Sequence, residues 1–402
     1  MIILADRIIT RLDRTTLAGG AVVIKQGRIT AVGKASTLMS KYPGHRVVRL
    51  EKAVVMPGLV NVHTHLELPP LLNDIRANNY TDWVFNLLTE KKLLIRHDYA
   101  ASAKSNIASL IRSGTTTVAE ISTHAVSPRV LAKSGLRAIV YLEIIFMGKE
   151  LDGLTIPSRG PVSRLMHYGL SPHSPHTISE PALLKINDIS SKRHIPLCMH
   201  VAETREETLL LQRNKSALER LYAAARWDIN LAPEARSSFR YLHRLGVLRP
   251  SFLAVHAVQA NDTDIALIKR SGTAIAYCPR SNHEIGVGTM PLRKFLDARI
   301  SVGLGTDSLA SAPTLNLWDE MRYAYKVHRH SGVTRQDIFH MATLGGARAL
   351  GMDQEIGSLE PGKKADLIAV PLPHKSTGDL YSDLLRETKT CTMNMVGGRF
   401  LC

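Results

Sequence analysis

Cysteine is scarce in this 402-residue chain: Cys198, Cys278, Cys391 and Cys402 lie far apart, with no CxxC pair among them. That spacing excludes a disulfide scaffold and a cysteine-built zinc site, and leaves reduced, structural thiols. Aromatic residues make up only 5%. No basic run is interleaved with them, and no zinc-finger or RNA-binding signature occurs, so nucleic acid is not an expected partner. Long apolar runs are missing too. None approaches the roughly 18 residues needed to span a bilayer, so no membrane partner is expected. The opening residues, Met1 to Arg7, show no basic start, long apolar stretch or cleavage site, which sets the expectation of a cytoplasmic protein. Acidic residues are in deficit, 35 against 51 lysines and arginines, for a formal net charge of +16. The basic residues are spread along the chain. A carboxylate-bearing small molecule accounts for them better than a polyanion does, and a generally basic background is simpler still.

What is present is a globular composition, 45% hydrophobic and 21% charged, in a chain long enough for one large barrel and a smaller module. Both ends read as short strands and turns. Ile2 to Leu4 open one strand, and Ala21–Lys25 and Arg28–Gly33 form a hairpin pattern around Gln26-Gly27. Ala365–Val370 and Met395–Phe400 repeat the style at the other end. Two all-β ends around a different middle predict one small composite β-sandwich, from residues 1–56 and 357–402. Over 57–356, apolar strand-like runs alternate with helical patterns such as 98–113 and 181–192. This predicts an α/β fold, a TIM-like (β/α)8 barrel whose reactive groups sit at the C-terminal ends of its strands. The stretch 204–243 reads as the longest helical insertion, amphipathic and charged, and is expected to present a solvated face.

The polar residues fall where that barrel predicts. The first strand ends in His63-Thr64-His65. Residues i and i+2 of a strand share a face, so both imidazoles project together. Later apolar runs end in Met199-His200, followed by Val201-Ala202-Glu203, in Val255-His256, and in Gly305-Thr306-Asp307. One such residue is easily a satisfied core histidine; four in order at strand ends are not readily structural. His63, His65, His200 and Asp307 offer three imidazole nitrogens and one carboxylate, a set that suits zinc and keeps a place for water. Bound zinc lowers the pKa of that water to about 7. Glu203, three residues past His200, is placed to shuttle protons. His256 has two readings: a ligand to a second metal, or a neutral donor that orients the water and polarises the substrate.

These segments resemble the amidohydrolase superfamily, in particular its deaminase and chlorohydrolase branch. Leu170-Ser-Pro-His173-Ser-Pro, Cys278-Pro-Arg-Ser281-Asn282 and Gly362-Lys-Lys-Ala-Asp-Leu367 strengthen the match, which covers nearly the whole chain. The resemblance implies a distorted barrel holding one zinc ion, with iron as the alternative metal. Binuclear members carry a bridging lysine at the fourth strand. Here that stretch, Arg137 to Ile145, contains Glu143 and no lysine. One metal is therefore expected, with His256 as a catalytic donor and with Glu203 and Asp307 exchanging protons with water and the leaving ammonia.

Leu66-Glu67-Leu68 directly after the histidine pair, with Trp83 beyond it, is similar to the aminodeoxyfutalosine deaminases of menaquinone biosynthesis. The rest of the chain also resembles the S-adenosylhomocysteine and methylthioadenosine deaminases. Both groups deaminate the adenine ring of a small-molecule nucleoside with a 5′ substituent; a ribose-binding Glu of the second group falls at Lys92 here. Triazine chlorohydrolases and guanine deaminases share the branch, and a non-catalytic binding barrel is the reading from another class. Glu67 is expected to line the pocket or to orient a metal-binding histidine, and Trp83 to stack on substrate or to pack. His173 is a substrate contact by resemblance, or part of a helix-capping loop. Arg280 meets a substrate carboxylate or lies at the surface. The resemblance also implies a homodimer.

Overall fold

The structure, a computed structural model, describes residues 1–11, 16–75, 77, 79–152, 154–156, 160, 163–373 and 378–402. Four strands open the chain: β1 (Ile2–Ile8), β2 (Leu17–Lys25), β3 (Arg28–Lys34) and β4 (Val47–Pro57). Eight follow: β5 (Leu59–Thr64), β6 (Thr115–Ser122), β7 (Arg137–Ile144), β8 (Met166–Pro172), β9 (Leu197–Val201), β10 (Phe252–His256), β11 (Ala274–Tyr277) and β12 (Val302–Leu304). The chain closes with β13 (Leu367–Pro371), β14 (Met393–Val396) and β15 (Arg399–Phe400).

β5 to β12 pair in sequence order, all parallel, as one eight-stranded sheet. Strands covered on both faces read as continuous apolar runs rather than alternations, and β6 and β9 to β12 are buried at every position. Alternate residues divide between two cores. Val60, Val62, Ala119, Ile139, Cys198, Val255 and Ala276 form one cluster. Val118, Val140, Leu142, Leu197, Met199 and Ala254 join the larger one shared with the helices. The helical patterns become helices Arg96–Ser113 and Glu180–Lys192.

The first and last barrel strands meet at the mouth. Asp307 and Thr306 donate their backbone N–H groups to the His63 carbonyl at 3.1 and 2.9 Å, and His65 donates to the Asp307 carbonyl at 3.1 Å. The side-chain amide of Asn61 donates to Thr306 Oγ1 at 2.8 Å, and Thr64 Oγ1 to the Asp307 carbonyl at 3.0 Å. This seam demands glycine. A Cβ on Gly305 would stand 2.8 Å from His63 Cβ and 2.9 Å from Cys278 Sγ.

The two termini share one seven-stranded sheet, ordered β15-β14-β13-β4-β1-β2-β3. β13 lies antiparallel to β4, the strand that leads across Gly58 into β5. Arg137 at the base of β7 forms a bidentate pair with Asp366, at 2.8 and 3.1 Å, and both are buried. Asp366 also accepts from the backbone of Gly397 at 2.7 Å.

The stretch 204–243 departs from expectation. It forms short helices, Arg205–Leu211, Glu219–Ala225 and Ser238–Arg244. Leu211, Leu218, Tyr222, Phe239 and Leu242 bury into the core. Its charges alternate with these anchors, so a charge-rich sequence still yields a packed layer over the barrel. Among the described residues, no helix is long and apolar enough to cross a membrane.

Arg137→Ala is expected to cost about 3–5 kcal/mol, because it strands a buried carboxylate. Urea unfolding measures this. A loss below about 1 kcal/mol would show that Asp366 finds other partners.

Candidate active site

His63 and His65 leave β5 at the seam just described, and His200 ends the apolar run of β9. Ligand nitrogens of the three lie within 4.8 Å of one another. Asp307 Oδ1 stands 3.7 Å from His63 Nε2 and 3.6 Å from His65 Nε2. These gaps are too long for strong hydrogen bonds. They match the roughly 3.4 Å that separates two ligands about 2.0–2.1 Å from one tetrahedral ion. His63 is fully buried, yet neither of its ring nitrogens has a hydrogen-bond partner. Such an orphan is costly unless something else satisfies it. Burial pushes all three imidazoles down, His65 to about 4, so they are neutral at pH 7, as ligands must be. Burial resists the charge on Asp307, but contact with His63 and the field of His65 hold its carboxyl well below the usual range. The donor set therefore fits one metal ion.

Neighbouring groups hold the ligands in place. His200 Nδ1 bonds the His173 carbonyl at 3.0 Å, which turns Nε2 toward the cluster. The hydroxyls of Ser281 and Ser311 both donate to Asp307 Oδ2, the latter at 3.0 Å, leaving Oδ1 for the histidines. His256 Nδ1 faces Asn282 Oδ1 at 2.7 Å. An amide oxygen only accepts, so Nδ1 carries a proton, and Nε2 looks into the site. Glu203 Oε1 lies 3.4 Å from that Nε2. Burial raises the Glu203 carboxyl above its ordinary value, as a proton carrier needs.

Two residues that support Glu203 went unread in the sequence. Tyr80 reaches in from helix Tyr80–Lys91 and donates its hydroxyl to Glu203 Oε2 at 3.3 Å. Glu207 accepts the backbone N–H groups of Ala202 (2.9 Å) and Glu203 (3.3 Å), and the hydroxyl of Ser238. Its carboxylate fixes a turn in which Ala202 adopts φ 52°. The acidic spacing Glu203-Glu207, one helical turn, was the available signal.

Glu67, expected to line the pocket or to orient a metal-binding histidine, bonds among the described residues to a loop and to no histidine side chain of the cluster. It is 1% exposed, and its two oxygens accept from Ser122 Oγ, the backbones of Thr123, His124, Val126 and Ser127, and Ser127 Oγ, at 2.6–3.1 Å. It shapes the loop between β6 and helix Ser127–Ser134. Beside it, Glu120 Oε2 accepts from Leu66, while burial and the charge of Glu67 push the Glu120 carboxyl well up.

Trp83 packs and also lines a cavity. Its indole N–H donates to the Ala310 carbonyl at 3.1 Å, and it borders a pocket with Asn79, Ile285 and Ser311, the last bonded to Asp307. His173 sits in the loop after β8, where Nδ1 bonds Thr177 Oγ1 at 2.8 Å, and its ring lies 4.9 Å from that of His200. Arg280 is occupied by Thr314 at 2.9 Å, Asp319 at 3.6 Å and Glu320 at 3.8 Å, and no substrate role remains visible for it.

A parallel barrel that gathers neutral imidazoles and a carboxylate at its mouth, with an acid–histidine pair alongside, has the architecture of a metal-dependent hydrolase. The chain belongs to the amidohydrolase family, whose sequence profile matches residues 54–400, and is an enzyme acting on C–N bonds. Residues 20–44 match a profile described as an imidazolonepropionase-like composite domain of bacteria. The chain is 30% identical to the 5-methylthioadenosine/S-adenosylhomocysteine deaminase of Syntrophobacter fumaroxidans, over 88% of this chain and 81% of the relative. It is 29% identical to the 5′-deoxyadenosine deaminase of Methanosarcina barkeri, over 90% and 81%. In fold it is similar to Helicobacter pylori aminofutalosine deaminase in complex with methylthio-coformycin, with a TM-score of 0.87, 22% identity and 99% of both chains covered.

Elemental analysis is expected to find one divalent metal ion per chain, and His63→Ala to hold far less. Removing the ion with a chelator is expected to lower the thermal midpoint by several degrees, since the ion binds the folded state alone. An unchanged midpoint and no bound metal would sink the metal reading of the cluster.

Proposed function

We propose that this protein hydrolytically deaminates C6 of an adenine nucleoside carrying a 5′ substituent. The single observation that carries the reading is the placement of the buried Glu203–His256 pair beside the His63, His65 and His200 cluster. The names borne by the relatives point to the same ring. Zinc suits this donor set, and iron is the alternative. Held by His63, His65, His200 and Asp307, the ion would acidify a water molecule at the site. The chain's own residues do the rest. Glu203, with its raised pKa, holds the proton taken from water and passes it to the ring. Asp307, ionised, accepts the second proton of that water and gives it to the leaving amine, which departs as ammonia. His256, with Nε2 directed inward by Asn282, orients the incoming water beside Glu203. Trp83 and His173 line the approach. The catalytic part is the barrel, 57–356, and the structural module is 1–56 with 357–402. We take the working form to be a cytoplasmic homodimer.

Aminodeoxyfutalosine is our first substrate, which would set the enzyme in menaquinone biosynthesis. The Leu66-Glu67-Leu68 segment and the 99% mutual coverage with the H. pylori fold support it. The burial of Glu67 removes one supposed contact. The 30% identity to a methylthioadenosine/S-adenosylhomocysteine deaminase favours the second reading, a salvage deaminase.

A panel of aminodeoxyfutalosine, S-adenosylhomocysteine, methylthioadenosine, adenosine and guanine, followed by loss of adenine absorbance and release of ammonia, decides between them. Glu203→Gln is expected to keep the metal and lose about 10³-fold in kcat, the usual reach of a general acid–base group. Turnover retained in that variant would remove Glu203 from the chemistry.

A further inference from the structure

Glu143 has no part in the chemistry just described, yet it faces the same mouth. It ends the buried run of β7 and is itself partly exposed. One oxygen, Oε2, accepts from Thr123 Oγ1 at 2.7 Å, which fixes the side chain's direction. Among the described residues the carboxylate takes no other hydrogen bond. An oxygen of Glu143, a nitrogen of His173 and a nitrogen of His200 lie within 4.8 Å of one another. The result is an aimed acceptor a few ångströms from the histidine cluster. Glu203 enters from β9 with His256 of β10 beside it, whereas Glu143 enters from β7 with Thr123 of the β6 loop behind it.

Such a group could take a second cation or a hydrogen-bond donor of the substrate. The cation is disfavoured because His200 belongs to both histidine groups, and its one inward nitrogen serves one ion. That does not weigh against a neutral hydroxyl. A carboxylate with one free oxygen beside an imidazole is well suited to a vicinal diol, whose two O–H groups donate to paired acceptors.

We propose that Glu143 is a specificity-determining residue that accepts the 2′ and 3′ hydroxyls of the substrate's sugar. This rests on the adenine-nucleoside reading above. It restricts the substrate class to ribonucleosides. The stretch Arg137 to Ile144, expected to be the fourth barrel strand, is the third, and the fourth, Met166–Pro172, holds no lysine either.

The test compares adenosine with 2′,3′-dideoxyadenosine on the metal-loaded wild type and on Glu143→Gln and Glu143→Ala, with metal content measured for each. The wild type is expected to favour adenosine in kcat/KM by about 100-fold, less than where a fully buried acceptor loses its partner, because Glu143 is partly exposed. In both variants the preference is expected to shrink to about tenfold or less, with metal content unchanged. An equal loss on both substrates would show that Glu143 acts through the metal histidines, and overturns the proposal. So does a second ion per chain that the variants lose. A wild type that turns over both nucleosides alike overturns it while leaving the deaminase reading intact. Silence on both, and on the wider panel, overturns the two together.

Discussion

The seam between β5 and β12 is the constraint on which the rest depends. A barrel must join its first strand to its last, and here the bonds that do so are the bonds that seat the proposed metal ligands. The His63 carbonyl accepts from Thr306 and Asp307, and Asp307 returns a bond from its carbonyl to His65. Three of the four ligands are therefore placed by the backbone ladder that closes the sheet, before any side chain chooses a rotamer. Only His200 comes from elsewhere, and the His173 carbonyl turns it inward. This is preorganisation by architecture: the ligands cannot drift apart unless the barrel opens.

The site also concentrates backbone strain. Ala202, His256, Ala257 and Asp307 all adopt positive φ, at 52°, 72°, 50° and 57°. Each such residue costs on the order of 1 kcal/mol or more, and persists only where its surroundings over-determine it. Those surroundings are visible. Glu207 holds the turn at Ala202, the Val201 carbonyl accepts from Ala257, and the His63 carbonyl accepts from Asp307. Left-handed geometry right after a strand bends the chain abruptly and swings the last side chain over the mouth instead of along the sheet.

How much of this was legible follows from range. The strand-end histidines and Asp307 could be read because they depend on a local rule, an apolar run followed by a polar residue, repeated in order along one barrel. Their nearness in space then came from the fold class alone. Glu67 could not be read. What decides its role is a loop 55 to 60 residues away, whose N–H groups converge on it. Tyr80 looked like one more apolar helix residue because its polar end meets Glu203, 123 positions on. Residues 204–243 misled for a related reason: composition counts charges, while burial depends on which few apolar side chains anchor each short helix.

The shared terminal sheet has a consequence for how the chain is held together. β4 leads directly into the metal-bearing strand, and its partner β13 begins only at Leu367. Asn394 then reaches back to the carbonyls of Ile111 and Thr115, at 2.9 Å each. The strand that carries His63 is thus braced through β4 by a segment more than three hundred residues further along the chain, so the two ends of the sequence are held as one unit beneath the barrel mouth.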